Sequence, residues 1–172
     1  MNTANQLAAL GFTPEQIAGA TVNGKPVSDA VTWGGNKSLS WRDGNVIHVV
    51  IGGKPLGKPR MTRRDKWKQR SNVMRYRDWA DHARAVLPKL PSVDQVDDLS
   101  WTAYFEPPAS WSKKERLAAI EMPHRSKPDR DNIDKAILDV LFPKADSAIY
   151  RGTIEKLWDW EARIEIAITV KE

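Results

Sequence analysis

Four side chains in one stretch of this sequence have the types and spacing for phosphodiester chemistry. In Lys127-Pro128-Asp129-Arg130-Asp131-Asn132-Ile133-Asp134-Lys135, two carboxylates stand two residues apart, and a lysine follows the second by four. Ile133, Ala136, Ile137, Val140 and Leu141 keep the i, i+3, i+4, i+7, i+8 rule, which predicts a helix with that face in a core. Pro143 comes just after it. Pro128 fixes its own backbone angle and biases its predecessor away from helix, so Asp129 sits in an extended lead-in. Asp131 lies near the helix N-terminus with Lys135 one turn on, and anions are favoured at that end of a helix. Asp146 follows in the connection Pro143 to Ile149, where a hairpin-like return sets it beside Asp129 and Asp131 provided that the next strand packs alongside the helix N-terminus.

The chain has no cysteine, and its three histidines, His48, His82 and His124, are scattered with no HxxxH or HExxH spacing. Thiolate and zinc-thiolate chemistry are excluded. What remains is a carboxylate site for a hard cation such as magnesium or manganese, for which Asp129, Asp131 and Asp146 are the candidates. Such a cation suits phosphodiester cleavage, with Lys135 offsetting charge in the transition state. The competing reading makes Asp131 a helix cap, Asp129 a turn residue and Lys135 a surface partner of Asp131, a pair worth about 0.3 to 0.5 kcal/mol.

Upstream lies a second chemical feature. The net charge is +5, but the segment from Lys58 to Arg77 holds nine basic residues against Asp65 alone, a local charge of +8. Lys58, Arg60, Arg63, Arg64, Lys66, Lys68 and Arg70, with Lys127 and Arg130 flanking the aspartates, form a candidate phosphate-backbone surface. The plainer alternative is a solvated loop or exposed helix face. Trp67 and Tyr76 within the segment suit base stacking or, more ordinarily, a core.

The elements that must position these groups are legible from periodicity. With 172 residues, 41% of them apolar, and eight tryptophans, the chain has material for one main domain. Val46 to Ile51 is a buried-strand candidate, paired as a hairpin with Ser38 to Trp41 across Asp43-Gly44. It runs into the glycine- and proline-rich basic loop Gly52 to Arg60. Asn72 to Leu87 is an amphipathic helix with Val73, Tyr76, Ala80, Ala83 and Leu87 inward. Leu99, Trp101, Ala103 and Phe105 alternate as a half-buried strand. Ser112-Lys113-Lys114-Glu115 is a capping box opening a helix to about Ile120. A strand begins near Ile149, and Trp158 to Val170 alternates over thirteen positions as another. The expected organisation is a small, mainly helical extension over 1–45, with short helices at Ala4 to Leu10 and from Thr13, followed by a chemistry-bearing domain over 46–172. No apolar run is long enough to span a bilayer, and the N-terminus lacks a basic-then-apolar leader, so a cytoplasmic protein is expected.

KPDRDNIDKAILDVL followed by ADSAI resembles the signature of the RusA family of Holliday junction resolvases, roughly KPDxDNxxKxxxDxL with a later DDxxI or DDxxV. The likeness runs from about Val46 to the C-terminus and includes the loop GGKPLGKPR. It implies an α+β fold with a mixed sheet and helices, a homodimer, and magnesium-dependent nicking of four-way junctions in recombination and repair, in a bacterial or phage-encoded protein. It also implies that Asp129, Asp131 and Asp146 bind metal, that Lys135 is catalytic and that Asp139 stabilises the helix. The doublet here reads Ala145-Asp146, so one of its two usual acids is missing. Two other functions compete: a catalytically silent branched-DNA-binding protein, and a flap or fork nuclease.

Overall fold

The computed structural model describes residues 21–22, 25–26, 31–33, 36–67 and 70–171, with side chains from Ser38 onward except those of Arg64, Lys66 and Asp146. The strands are Thr21–Val22 (β1), Lys25–Pro26 (β2), Val31–Trp33 (β3), Asn36–Asp43 (β4), Val46–Gly52 (β5), Val96–Phe105 (β6), Ile154–Trp158 (β7) and Arg163–Val170 (β8). The helices are Ser71–Val86 (α1), Lys113–Ala119 (α2) and Arg130–Leu141 (α3). The predicted helices before residue 20 lie outside the described residues.

The fold is α+β. One sheet runs in the order β2-β1-β4-β5-β8-β6-β7, with β3 paired to β4. All pairings are antiparallel except β6 with β7, which makes the sheet mixed. The predicted hairpin is present: Asp43 pairs with Val46 across Gly44, whose φ of 55° falls in the left-handed region that glycine enters freely. Strand β4 thus shares the sheet with everything that follows, and Ser38 and Ser40 tie it to α1. The Ser38 hydroxyl lies 2.7 Å from Nε2 of buried His82, and Ser40 donates to the Val86 carbonyl.

Helices α1 and α3 pack on the sheet and on each other. Val73, Tyr76, Ala80 and Ala83 of α1 are buried as expected, along with Trp79 and Val86, while Leu87 is partly buried just past the helix end. In α3 the predicted face, Ile133, Ala136, Ile137, Val140 and Leu141, is buried. Each of its larger members contributes about 1.5 to 3 kcal/mol, so core burial and not surface charge holds the helix in place. Trp101 of β6 adds a directed tie, its indole N–H donating to Asp134 at 2.9 Å. The Ser112 capping box forms as predicted, with both reciprocal bonds to Glu115.

The C-terminal alternation is interrupted. In place of one strand from Trp158 to Val170 there are two, β7 and β8, broken at 159–162, and β7 begins at Ile154 where the sequence suggested Ile149. The strands flank β6 from opposite sides, so the chain has to reverse between them. Asp159 N–H bonds to the Phe105 carbonyl at the end of β6, and buried Arg163 bridges Asp159 and Glu165 across the reversal. Side-chain parity cannot reveal such a break, because the alternation resumes with Ala162, Ile164, Ile166 and Ile168 buried.

Candidate functional site

Helix α3 starts at Arg130, which makes Asp129 the N-cap residue with extended backbone (φ −67°, ψ 145°). An aspartate there ordinarily bonds a free amide of the first turn. Asp129 does not: the amides of Asn132 and Ile133 go to its backbone carbonyl, and among the described residues its carboxylate accepts no hydrogen bond. The carboxylate is left for another partner. Asp131, in the first turn, is exposed and accepts from Lys135 Nζ at 3.0 Å, and that hydrogen bond holds its carboxyl below the usual range.

A cation that sequence reasoning missed sits behind Asp129. Lys156 of β7 donates to the carbonyls of Ser126 and Pro128 at 2.6 and 2.7 Å, clamping the lead-in to α3. Burial pushes its pKa down, while the charge of Asp129 acts in the opposite direction. Only the pairing of β7 with β6 brings this residue to the site, and no local pattern in the sequence announces it.

In front of the helix start runs a groove of about 610 Å³. Its walls are the 54–60 loop, the first turns of α1 and the segment 127–132. Lys54, Lys58, Arg60, Arg75 and Lys127 line it, and Asp129 is its lone carboxylate among the described residues. The loop is docked, not free. Lys58 N–H donates to the Asn132 carbonyl at 2.8 Å, and a Cβ added to Gly57 would stand 3.0 Å from the Asn132 Cβ and 3.2 Å from that of Pro128. The Lys58 ammonium pairs with Asp139 at 2.6 Å, and the Tyr76 hydroxyl donates to the same oxygen at 2.9 Å. Asp139 therefore joins loop, α1 and α3. Burial and the bond to Asp139 push the Tyr76 hydroxyl pKa well up.

Farther along the basic segment, Asp65 is buried and receives Arg70 through both carboxylate oxygens, together with the Thr62 amide and hydroxyl. Its pKa falls to about 2, chiefly through the Arg70 bond. Arg70 also donates to the Arg60 carbonyl, so it scaffolds the loop that carries Arg60.

Of the predicted backbone-binding residues, Lys58, Arg60 and Lys127 line the groove, while Arg63 and Arg130 are exposed outside it. The side chains of Arg64 and Lys66, and all of Lys68, lie outside the described atoms. Tyr76 is a core residue, whereas Trp67 is 87% exposed. The groove also recruits Lys54 of the basic loop and Arg75 of the basic segment, neither of which was among the named backbone-binding candidates.

Among the carboxylates, Asp129 and Asp131 both lie at the start of α3, Asp129 lining the groove and Asp131 paired with Lys135. Asp146 opens a 3-10 turn beyond the other end of that helix, which at twelve residues is about 18 Å long. Tight turns at Phe142, Ala145 and Ala148 keep the backbone at that end, and the chain then joins the start of β6, where Leu99 N–H bonds to the Arg151 carbonyl. A Cβ on Gly152 would stand 1.8 Å from the Leu99 carbonyl oxygen, so this junction admits only glycine. The side chain of Asp146 is not described, and no group of three metal-ligating side chains converges among the described residues. The exposed, oxygen-only pair Asp129 and Asp131 suits a hard divalent cation.

A positively lined groove with one carboxylate at a helix N-terminus suits a polyanionic backbone. The chain belongs to the RusA endodeoxyribonuclease family, whose model matches residues 52–169. That span holds the groove, both packed helices and the C-terminal strands, and it places the chain among nucleases that cut DNA internally. No curated protein matches the chain. No described helix is long and apolar enough to cross a membrane.

Proposed function

We propose that this protein is a divalent-metal-dependent endonuclease that resolves four-way DNA junctions by paired nicks, acting as a homodimer. The observation that carries this reading is the uncommitted carboxylate of Asp129, at an N-cap position where capping is the usual fate, in a groove whose other charged lining residues are all basic. Asp129 and Asp131 would hold the cation, magnesium or manganese. Bound there, it would supply Lewis acidity toward the scissile phosphodiester.

The rest falls to the chain's own groups. Lys54, Arg60, Arg75 and Lys127 bind the phosphate backbone along the groove. Lys156 and Pro128 fix the lead-in so that Asp129 keeps its place. Lys135 sets the charge state of Asp131 and supplies a cation one turn from the reacting phosphate. Asp146 enters as the third carboxylate from its place in the motif, supplied in this reading by a second copy of the chain. Two such sites about a two-fold axis would match the symmetry of a four-way junction.

The test is a comparison of labelled four-way, forked and linear DNA, each incubated with the protein with and without magnesium. Fast magnesium-dependent cutting of the four-way substrate at paired positions is expected. Preferential cutting of the fork assigns a fork or flap nuclease instead, and tight binding without cutting assigns a silent junction binder.

A further inference from the structure

Beside the groove lies a second pocket, of about 590 Å³, whose walls are aromatic. The His124 ring stacks on Phe105 at 3.8 Å and meets Trp158 edge-on at 4.3 Å, and Trp111 leans over Trp158 at 5.3 Å. Trp111 is the outermost ring, 37% exposed. Pro107 and Pro108 complete the apolar wall, and Glu106 is the one acidic residue among the described lining, against Lys54 and Lys127. His124 is 6% exposed, yet its Nδ1 is buried with no hydrogen-bond partner, an omission that ordinarily carries a cost.

The two cavities are not independent. Lys54 and Lys127 line both, and Lys156, which clamps the lead-in to Asp129, also places its ammonium 5.8 Å from the Phe105 ring centroid. A strand whose phosphates lie in the groove would thus pass a cation-rimmed slot of aromatic rings. Stacking rings under a positive rim suit a π-faced, hydrogen-bonding group on a polyanionic chain, which is a nucleobase. An apolar peptide side chain would use the rings but not the rim.

We propose that the pocket of Phe105, Trp111, His124 and Trp158 takes one unpaired nucleobase of the DNA strand held in the groove, stacking it on Trp111. The inference rests on the reading of the groove as a DNA site and extends it, since a base seated there would set nucleotide preference near the cut.

The experiment measures binding in EDTA, by fluorescence anisotropy, of the full chain to a four-way junction and to a series of junctions with an abasic nucleotide stepped across the crossover. Wild type should lose about 5- to 150-fold in affinity at one abasic position, the span expected for one stacked base. Trp111→Ala should weaken binding to the intact junction by a similar factor and be indifferent to that abasic position, whereas Trp111→Phe should keep most of both. If Trp111→Ala binds the intact junction as wild type does, or if its loss multiplies with the abasic loss, the pocket does not hold a base. If wild type binds junctions but no abasic position matters, the pocket assignment falls and the groove reading stands; if wild type binds no DNA, both fall.

Discussion

The three-way contact at Asp139 gives a quantitative handle on what positions the basic groove. Tyr76→Phe removes one hydrogen bond to a charged acceptor. Because the Asp139 side chain keeps 27% of its exposure, the low end of the range applies, about 1.5 kcal/mol. Asp139→Ala removes that bond, strips Lys58 of a half-exposed ion pair worth under about 1 kcal/mol, and leaves the hydroxyl of a buried tyrosine unpaired, for about 3 kcal/mol in all. In the double variant no hydroxyl is left to satisfy, so its loss should stay near that of Asp139→Ala, about 1.5 kcal/mol short of additive. Urea unfolding of the four proteins measures this cycle. Additivity within about 0.5 kcal/mol would refute the claim that Asp139 binds α1 to α3 through Tyr76.

Other outcomes follow from the same geometry. Asp65→Ala removes a negative charge from a basic segment, yet it should weaken DNA binding because Arg70 and the Arg60 loop lose their anchor; tighter binding in a filter assay would show that Asp65 is only a charge. The Asp65 carboxyl, held at about 2, stabilises the fold above its unfolded range near 3.8, and that contribution should fade as pH falls toward 2, which acid unfolding of wild type against Asp65→Asn would show. His124, whose pKa burial lowers to about 4, is neutral in the fold while the unfolded chain takes a proton below about 6.5. Stability should therefore drop between pH 6.5 and 4, by about 2 kcal/mol from this group after allowance for residual solvent, and His124→Phe should flatten the drop in unfolding curves at pH 7 and 4.5. Lys54→Ala or Arg75→Ala should each lower the slope of log affinity against log salt by about 1, and unchanged slopes would remove those residues from the backbone contact.

Much of this architecture was written in local patterns. The buried face of α3, the capping box at Ser112, the alternation of β6 and the hairpin at Gly44 each depend on neighbours within one element, and each is present. What escaped depends on which elements meet. The break at 159–162 follows from β7 and β8 lying on opposite sides of β6. Lys156 reaches the lead-in to Asp129 through a parallel strand pairing, and Arg70, which counts as one more cation in the sequence, is consumed by a buried aspartate five residues away. The carboxylate motif illustrates both sides: Asp129 and Asp131 are joined by chain proximity at a helix start, whereas the position of Asp146 is decided by a connection whose turns hold it at the far end of α3.

The central claim, that Asp129 and Asp131 grip a cation against a DNA phosphate, is tested most directly by single-turnover cutting of a four-way junction by Asp129→Asn across a magnesium titration, with junction binding in EDTA measured on the same protein. Cutting should fall by at least about a thousandfold, on the order of 4 kcal/mol of lost transition-state stabilisation, while binding in EDTA is retained. Cutting at the wild-type rate with unchanged magnesium dependence would contradict it.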